Sequence, residues 1–282
     1  MKTIPVFFTK KMVADSGSYS PSAAKPLAVV ESWKRLGVPL EFHEPTPATI
    51  DELTRAHDAS YVRDVLELRV ENGFGNRSPK IAASLPFTTG AMLSAARHVM
   101  RHGGIAAAPC SGFHHAGWAH GEGFCTFNGL MVTAAALHKE GAHRIGILDC
   151  DMHYGDGTDD IIERLGNPEW IRHFTAGARA QIADTFLKTV LPEALQRMRD
   201  CSLVLYQAGA DPHVDDPLGG WLTTDQLHER DRVVFTTLRT LGVPVVWNLA
   251  GGYQRDANGG IPKVLEIHDN TMRACAVGVM RP

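Results

Sequence analysis

The residues with the clearest capacity for chemistry lie in the segment Asp-Cys-Asp-Met-His at positions 149–153. Alternate residues of an extended segment point to the same side, so Asp149, Asp151 and His153 should face one way. Two carboxylates on one side repel each other unless a cation or a protonated group lies between them. Zinc and iron sites use carboxylate oxygen and imidazole nitrogen as donors. The segment therefore indicates a divalent metal site; the alternative is an acidic turn that caps a helix.

Asp211 occupies a second candidate position, in the segment Gln-Ala-Gly-Ala-Asp-Pro-His at 207–213. This aspartate also follows an apolar run, and a carboxylate at the end of a strand can deliver a third metal ligand. Three protein ligands with one open coordination position are typical of catalytic zinc sites. Pro212 should turn the chain away from the site, so we expect His213 at a solvent-exposed rim.

Two adjacent histidines, His114 and His115, occupy the segment Gly-Phe-His-His-Ala at 112–116. They could be two metal ligands, two acid–base groups or a polar turn. Histidine pairs at one site need partners that set their protonation. Asp149 and Asp156 belong to the same motif as the candidate ligands, and one metal ion cannot use all of these groups. We therefore assign the two aspartates as partners of the two histidines.

Tyr253 follows two glycines, Gly251 and Gly252, after another apolar run. Glycine lets the backbone approach a substrate closely, and a tyrosine hydroxyl placed there could donate to a developing oxyanion. Taken alone, this tripeptide is equally compatible with a plain turn. Its place at the end of a predicted strand favours a role in the same site.

Short apolar runs precede all of these segments and predict strands that are buried on both faces. The predicted strands span residues 4–8, 104–108, 144–148, 202–207 and 243–248. The predicted helices span residues 22–36, 60–71, 89–101, 129–139, 157–164, 180–199, 224–241 and 260–274. This alternation predicts one α/β domain, residues 1–282, with a mostly parallel sheet flanked by helices and a surface loop at 72–86. The segments should meet at the carboxyl ends of the strands.

The composition of the 282-residue chain excludes several classes of protein. With 44% hydrophobic and 21% charged residues, the chain can build a sizeable core. A formal net charge of −3 without long like-charge runs argues against a nucleic-acid partner or an anionic membrane. The five cysteines form no C-x-x-C pair, so reduced thiols in a cytoplasm are expected. Neither a signal peptide nor a transmembrane helix is predicted.

Five motifs, in this order along the chain, resemble the metal-dependent histone deacetylase family of the arginase–deacetylase superfamily. The motifs are GFHHA (112–116), EGFCTFN (122–128), ILDCDMHYGDGT (147–158), QAGADP (207–212) and AGGY (250–253). The resemblance covers the chain from its middle nearly to its end, and the N-terminal third matches only in general character. It implies an eight-stranded parallel sheet and a hydrolase that depends on zinc or sometimes iron.

The resemblance also implies a role for each matching residue. It assigns the metal ion to Asp151, His153 and Asp211. It assigns acid–base and oxyanion chemistry to His115 paired with Asp156, His114 paired with Asp149, and Tyr253. It assigns substrate contacts to Gly123, Phe124 and Gly252, with Phe174 as the candidate for the opposite channel wall. Structural monovalent cations such as K⁺ are also implied near the strand that carries the ligands.

The implied reaction is hydrolysis of an N-acyl amide to a carboxylate and a free amine. The sequence has no N-terminal His-Pro-Glu-like element and no aspartate in the rim segment before 84–90. We therefore expect a small acyl amine, such as an acetylpolyamine, as substrate. The alternatives are a protein acetyl-lysine deacetylase, a binuclear manganese ureohydrolase and a binding module without catalysis. A homodimer is one assembly compatible with the sequence.

Overall fold

A single sheet of seven strands dominates the computed structural model, which describes residues 3–178 and 182–280. The strands are β1 (Ile4–Phe7), β2 (Leu40–His43), β3 (Ile105–Ala108), β4 (Ile145–Asp149), β5 (Ile171–Thr175), β6 (Leu203–Gly209) and β7 (Val245–Ala250). Across the sheet their order is β2-β1-β3-β7-β6-β4-β5, and every neighbouring pair is parallel. The predicted α/β fold with a parallel sheet is confirmed.

Helices cover both faces of the sheet. They are α1 (Lys25–Trp33), α2 (Ile50–Leu53), α3 (Ala59–Leu66), α4 (Pro79–His102), α5 (Gly129–Lys139), α6 (Asp156–Arg164), α7 (Ala183–Thr185), α8 (Leu191–Arg197), α9 (Thr224–Leu241) and α10 (Pro262–Met280). A π-helical turn, Phe186–Val190, joins α7 to α8. The predicted helix 180–199 starts at Ala180, which lies outside the described residues.

The implied strand count of eight is wrong, because the described residues form seven strands. The two outermost strands, β2 and β5, were not among those predicted from apolar runs. Each carries polar residues at partly exposed positions, with only the ends of β5 buried. The bridge between His213 and Leu222 is isolated and does not extend the sheet.

The expected loop at 72–86 is wrong in its second half, where α4 already begins. Ser78 caps this helix, since its side chain accepts from the Ile81 N–H at 3.4 Å. Pro79 occupies the first turn, where a missing N–H carries no penalty. Pro86 lies inside the helix and usually signals a break. Its carbonyl accepts from the Ala48 N–H at 2.8 Å, which ties the preceding loop to the helix.

Two apolar layers hold the sheet and fix the position of its strand ends. On one face, Trp247 packs with Trp33 of α1 and Phe235 of α9, at ring-centroid distances of 5.1 and 6.0 Å. On the other face, Leu205 and Val246 belong to a second buried cluster with residues of α4 and α5. Full burial of each large side chain contributes roughly 1.5–3 kcal/mol.

Among the described residues, no helix combines the length and apolar character needed to span a bilayer.

Candidate active site

Three potential metal donors converge beyond the carboxyl ends of β4 and β6. One ligand atom from each of Asp151, His153 and Asp211 lies within 4.8 Å of the others. His153 Nδ1 is 3.1 Å from Asp151 Oδ1 and 3.0 Å from Asp211 Oδ2. Both carboxylates are buried, whereas the histidine side chain is 34% exposed. This is the only cluster of three or more such donors found in the described ranges.

Two glycines, one at the end of β6 and one directly after β7, allow the backbone to pack closely against the candidate ligands. A Cβ on Gly209 would lie 2.6 Å from Asp151 Cα, and one on Gly251 would lie 2.1 Å from Asp211 Cγ. Gly251 also has a positive φ of +47°. Both positions therefore require glycine, for space and, at Gly251, for backbone conformation as well.

The electrostatics of the three donors fit a divalent cation. Burial, together with Asp151, raises the pKa of Asp211 to about 7. Hydrogen bonds to Asp151 and Asp211 raise the pKa of His153 to about 10, so a proton on its ring balances the carboxylates in the metal-free chain. A buried pair of carboxylates needs such a positive partner. Two carboxylates and one imidazole would suit zinc or iron, and Nδ1 is the His153 nitrogen that lies beside both carboxylates.

The two adjacent histidines each face a separate aspartate. His114 Nδ1 lies 2.7 Å from Asp149 Oδ2, and His115 Nδ1 lies 2.5 Å from Asp156 Oδ1. The two imidazole centroids are 4.1 Å apart. Gln207 donates to the other oxygen of Asp149 at 3.0 Å, which fixes this carboxylate beside His114. The structure thus brings together the pairs that the sequence suggested.

The surroundings give the two histidines opposite proton affinities. Burial alone would lower the pKa of His114, but Asp149 and Asp151 outweigh it and raise the pKa to about 9. For His115, burial and the neighbouring His114 lower the pKa, and Asp156 opposes them only in part. A neutral imidazole beside a charged one can accept a proton while its neighbour supplies positive charge.

Tyr253 lines one small cavity together with some of the residues described above. The cavity, about 10 Å³ in volume, is lined among others by His114, Gly123, Asp151 and Tyr253. The Tyr253 N–H donates to Asp216 Oδ2 at 2.8 Å, which fixes the loop after β7. Burial and nearby carboxylates raise the pKa of the phenol well above its usual range, so its hydroxyl stays a hydrogen-bond donor.

The three residues predicted to contact the substrate lie on two loops, one before α5 and one after β7. Gly123 lies against the ring of His115, where a Cβ would be 2.5 Å from Cδ2. Phe124 has a positive φ of +66°, a strained conformation for a residue with a side chain. Gly252 is at φ +86° and packs against Ala210 and Val264, where it shapes the turn before Tyr253.

Phe174 does not form the opposite channel wall, so that prediction is wrong. It lies on the edge strand β5, and with Val190, Glu193, Ala194 and Arg197 it lines a separate cavity. None of those residues belongs to the cluster around Asp151. Register places Phe174 beside Leu148 of β4, on the face of the sheet covered by α8.

Tyr19 is an aromatic residue near the site that sequence patterns do not reveal. Its ring centroid lies 5.3 Å from Phe124, edge to face, and 6.3 Å from Tyr253. The side chain is 59% exposed. Arg255 holds this segment by donating to the Tyr19 carbonyl at 3.2 and 2.9 Å. A lone aromatic within a serine-rich loop was the available signal.

Two further residues near the site differ from simple expectation. Lys25 is fully buried at the start of α1, and its ammonium donates to the Gly251 carbonyl. Burial lowers its pKa to about 8, against the pull of Asp211 and Asp151. His213 is buried, not at the rim, because the chain folds back after Pro212. Its Nε2 lies 2.9 Å from Thr224 Oγ1.

Comparisons with known proteins agree with this arrangement. Residues 21–171 and 171–264 match the family model of the histone deacetylase domain. An uncharacterized protein from Picosynechococcus sp. is 32% identical over 188 residues, which are 59% of this chain and 62% of that protein. The chain therefore matches less than two thirds of that relative's length.

Two solved structures share the fold. The HD domain of HDA15 superposes with a TM-score of 0.77 at 20% identity, covering 98% of this chain and 90% of that one. An acetylpolyamine aminohydrolase from Burkholderia pseudomallei gives 0.72 at 19% identity, covering 96% and 98%. Since the family match extends over well more than half of the sequence, this chain belongs to the histone deacetylase domain family.

Proposed function

We propose that this protein is a metal-dependent amidohydrolase that releases a carboxylate and a free amine from a small N-acyl amine. One observation carries the proposal: the donor set Asp151, His153 and Asp211 adjoins two His–Asp pairs, and Tyr253 lines the same cavity as Asp151 and His114. Each group that amide hydrolysis needs therefore has a candidate within one site.

The chain's own residues divide the work. His115, held through Nδ1 by Asp156, accepts a proton from the attacking water and passes it to the leaving nitrogen. His114, held by Asp149, keeps a positive charge beside the reacting groups. Tyr253 donates its hydroxyl hydrogen to the carbonyl oxygen as negative charge develops. A zinc or iron ion, when bound, would polarise the carbonyl and lower the pKa of water.

The choice of a small substrate rests on the shape and chemistry of the mouth. A cavity of about 10 Å³ is too small for a long acyl chain, which favours a short acyl group such as acetyl. The rings of Tyr19 and Phe124 pack edge to face and lie within 6.3 Å of the ring of Tyr253, and aromatic faces attract ammonium groups. An acetylpolyamine carries such groups, and one of the fold neighbours is an acetylpolyamine aminohydrolase.

The rival functions differ in metal content and product. A binuclear ureohydrolase needs additional ligands, whereas the donor cluster in the described residues has three members. A binding module without catalysis would not need Tyr253 as a hydroxyl donor. Structural K⁺ and a homodimeric assembly stay predictions.

Turnover of matched substrates tests the proposal. The zinc-loaded chain should hydrolyse N-acetylated diamines with a higher kcat/KM than acetyl-lysine peptides, and it should release no urea from arginine. Tyr253→Phe should lower kcat by roughly 10²–10³-fold, the loss typical of one oxyanion donor, with zinc content unchanged. Tyr154→Phe, at an exposed tyrosine, is the control. Full activity of Tyr253→Phe, or preference for peptides, would contradict the proposal.

A further inference from the structure

Arg230 of α9 is fully buried, and it is not among the residues that line the cavity shared by Asp151 and Tyr253. Its Nη1 donates to the Cys150 carbonyl at 3.1 Å and to the Gly209 carbonyl at 2.7 Å. Cys150 directly precedes Asp151 in the chain, and Gly209 stands two residues before Asp211. A single guanidinium nitrogen therefore joins the two strand ends that carry the candidate ligands.

The two carbonyls lie where regular pairing between β4 and β6 ends. The Cys150 N–H still donates to the Gln207 carbonyl at 3.0 Å, and the Ala210 N–H donates to the Ala250 carbonyl at 2.9 Å. Buried carbonyls need donors, and Arg230 supplies both from one atom.

A buried network holds the guanidinium in place. Its Nε donates to Asp231 Oδ1 at 2.8 Å, and Asp231 also accepts from the Thr271 hydroxyl at 2.5 Å and from the hydroxyl of Tyr206. Nη2 is buried without a hydrogen-bond partner among the described residues. Buried ion pairs are often no more stabilising than apolar replacements. The geometry that the pair fixes is therefore a better explanation for it than stability.

We propose that Arg230 is a positioning residue that sets the spacing between Asp151 and Asp211, and so the affinity of the site for its metal ion. The inference rests on the proposed function only in taking these residues as ligands. An arginine suits this role because its planar group directs two hydrogens of one nitrogen to fixed acceptors. A lysine has a shorter reach and a rotating ammonium, so it should restore the bridge only in part.

Zinc affinity of the folded chain, measured by competition with a chromophoric chelator, tests the inference. Arg230→Met should fold, as judged by circular dichroism, and bind zinc about 10- to 100-fold more weakly, the loss typical of supporting contacts around a metal site. Arg230→Lys should recover part of that loss. Arg232→Met is the matched control, since Arg232 is on the same helix but exposed and paired with Glu229.

Each outcome separates this inference from the proposed function. If folded Arg230→Met binds zinc as tightly as the wild type does, the proposed positioning role of Arg230 is overturned, whatever the activity. If that variant does not fold, Asp231→Asn decides, because it loosens the guanidinium without removing it. Weaker zinc binding by Asp231→Asn would support the positioning role of Arg230, and unchanged binding would overturn it. A wild-type chain that binds zinc tightly but hydrolyses no acyl amine would defeat only the proposed function.

Discussion

Three aromatic rings at the mouth of the site, those of Tyr19, Phe124 and Tyr253, lie within 6.3 Å of one another, centroid to centroid. Phe124 is held there at a positive φ of +66°, and strain of this kind costs about 1–3 kcal/mol and occurs mostly at functional sites. This strained conformation supports the proposed contact between Phe124 and the substrate. We propose Tyr19, in place of Phe174, as the second aromatic residue beside the substrate.

Tyr19→Ala should raise KM for an acetylated diamine about two- to five-fold and leave kcat unchanged. The reason is the loss of one exposed cation–π contact, about 0.5–1 kcal/mol. Steady-state kinetics with the diamine and with an uncharged acyl amine measure the effect, which should vanish for the uncharged substrate. Phe42→Ala, an exposed aromatic on edge strand β2, is the control. A drop in kcat alone would assign Tyr19 to the chemistry instead.

Sequence spacing identifies the residues of the candidate site better than it identifies their surroundings. Asp149, Asp151 and His153 are two residues apart in one chain segment, so an extended backbone predicts that they share a side. Tyr19 and Lys25 come close to the site only through tertiary contacts with Phe124 and Gly251. No local periodicity can report such contacts, and a buried lysine looks like any other lysine in a helical pattern.

At the scale of elements, the close approach of the loops after β6 and β7 depends on glycine. Gly251→Ala should abolish tight zinc binding and destabilise the chain, because its Cβ would lie 2.1 Å from Asp211 Cγ at φ +47°. Gly259→Ala is a matched control at φ +79° with no atom within 4 Å of the new Cβ. It should cost only about 1 kcal/mol, from backbone conformation. Urea unfolding and zinc titration compare the two, and equal losses would refute the packing argument.

Central and edge strands differ in how far sequence predicts them. β3, β4, β6 and β7 are buried along their whole length, and their continuous apolar runs are typical of parallel strands with both faces covered. The edge strand β2 keeps two exposed residues, and its mixed composition resembles a loop. The seven-strand sheet could thus be predicted at its centre, where the site lies, and not at its margins.

At the scale of the whole molecule, a metal ion held by Asp151, His153 and Asp211 would couple its binding to folding. A metal that binds only the folded chain stabilises it by about 2.7 kcal/mol at a free concentration 100 times Kd. Without metal, Asp151 and Asp211 face each other in a buried space with His153 as the balancing cation. The metal-free chain should therefore lose stability in a way that depends on pH.

Asp211 determines the sign of that dependence. Its pKa is about 7 in the folded metal-free chain because of burial and Asp151, against about 3.9 for an unperturbed aspartate. Between these values the folded chain holds a proton that the unfolded chain has released, so the free energy of unfolding falls as pH rises through this window. Asp211→Asn removes this contribution to the pH dependence of the free energy of unfolding, since the amide stays neutral.

Urea unfolding in the presence of a chelator, at about pH 5 and about pH 7.5, should show the wild type losing stability relative to Asp211→Asn as pH rises. Added zinc should restore the wild type at the higher pH and leave the variant unchanged, because the variant lacks one carboxylate ligand. Comparing the two chains cancels the other titrating groups to first order. Parallel pH profiles would mean that Asp211 is not held near Asp151 in solution, and zinc stabilisation of the variant would remove Asp211 from the ligand set.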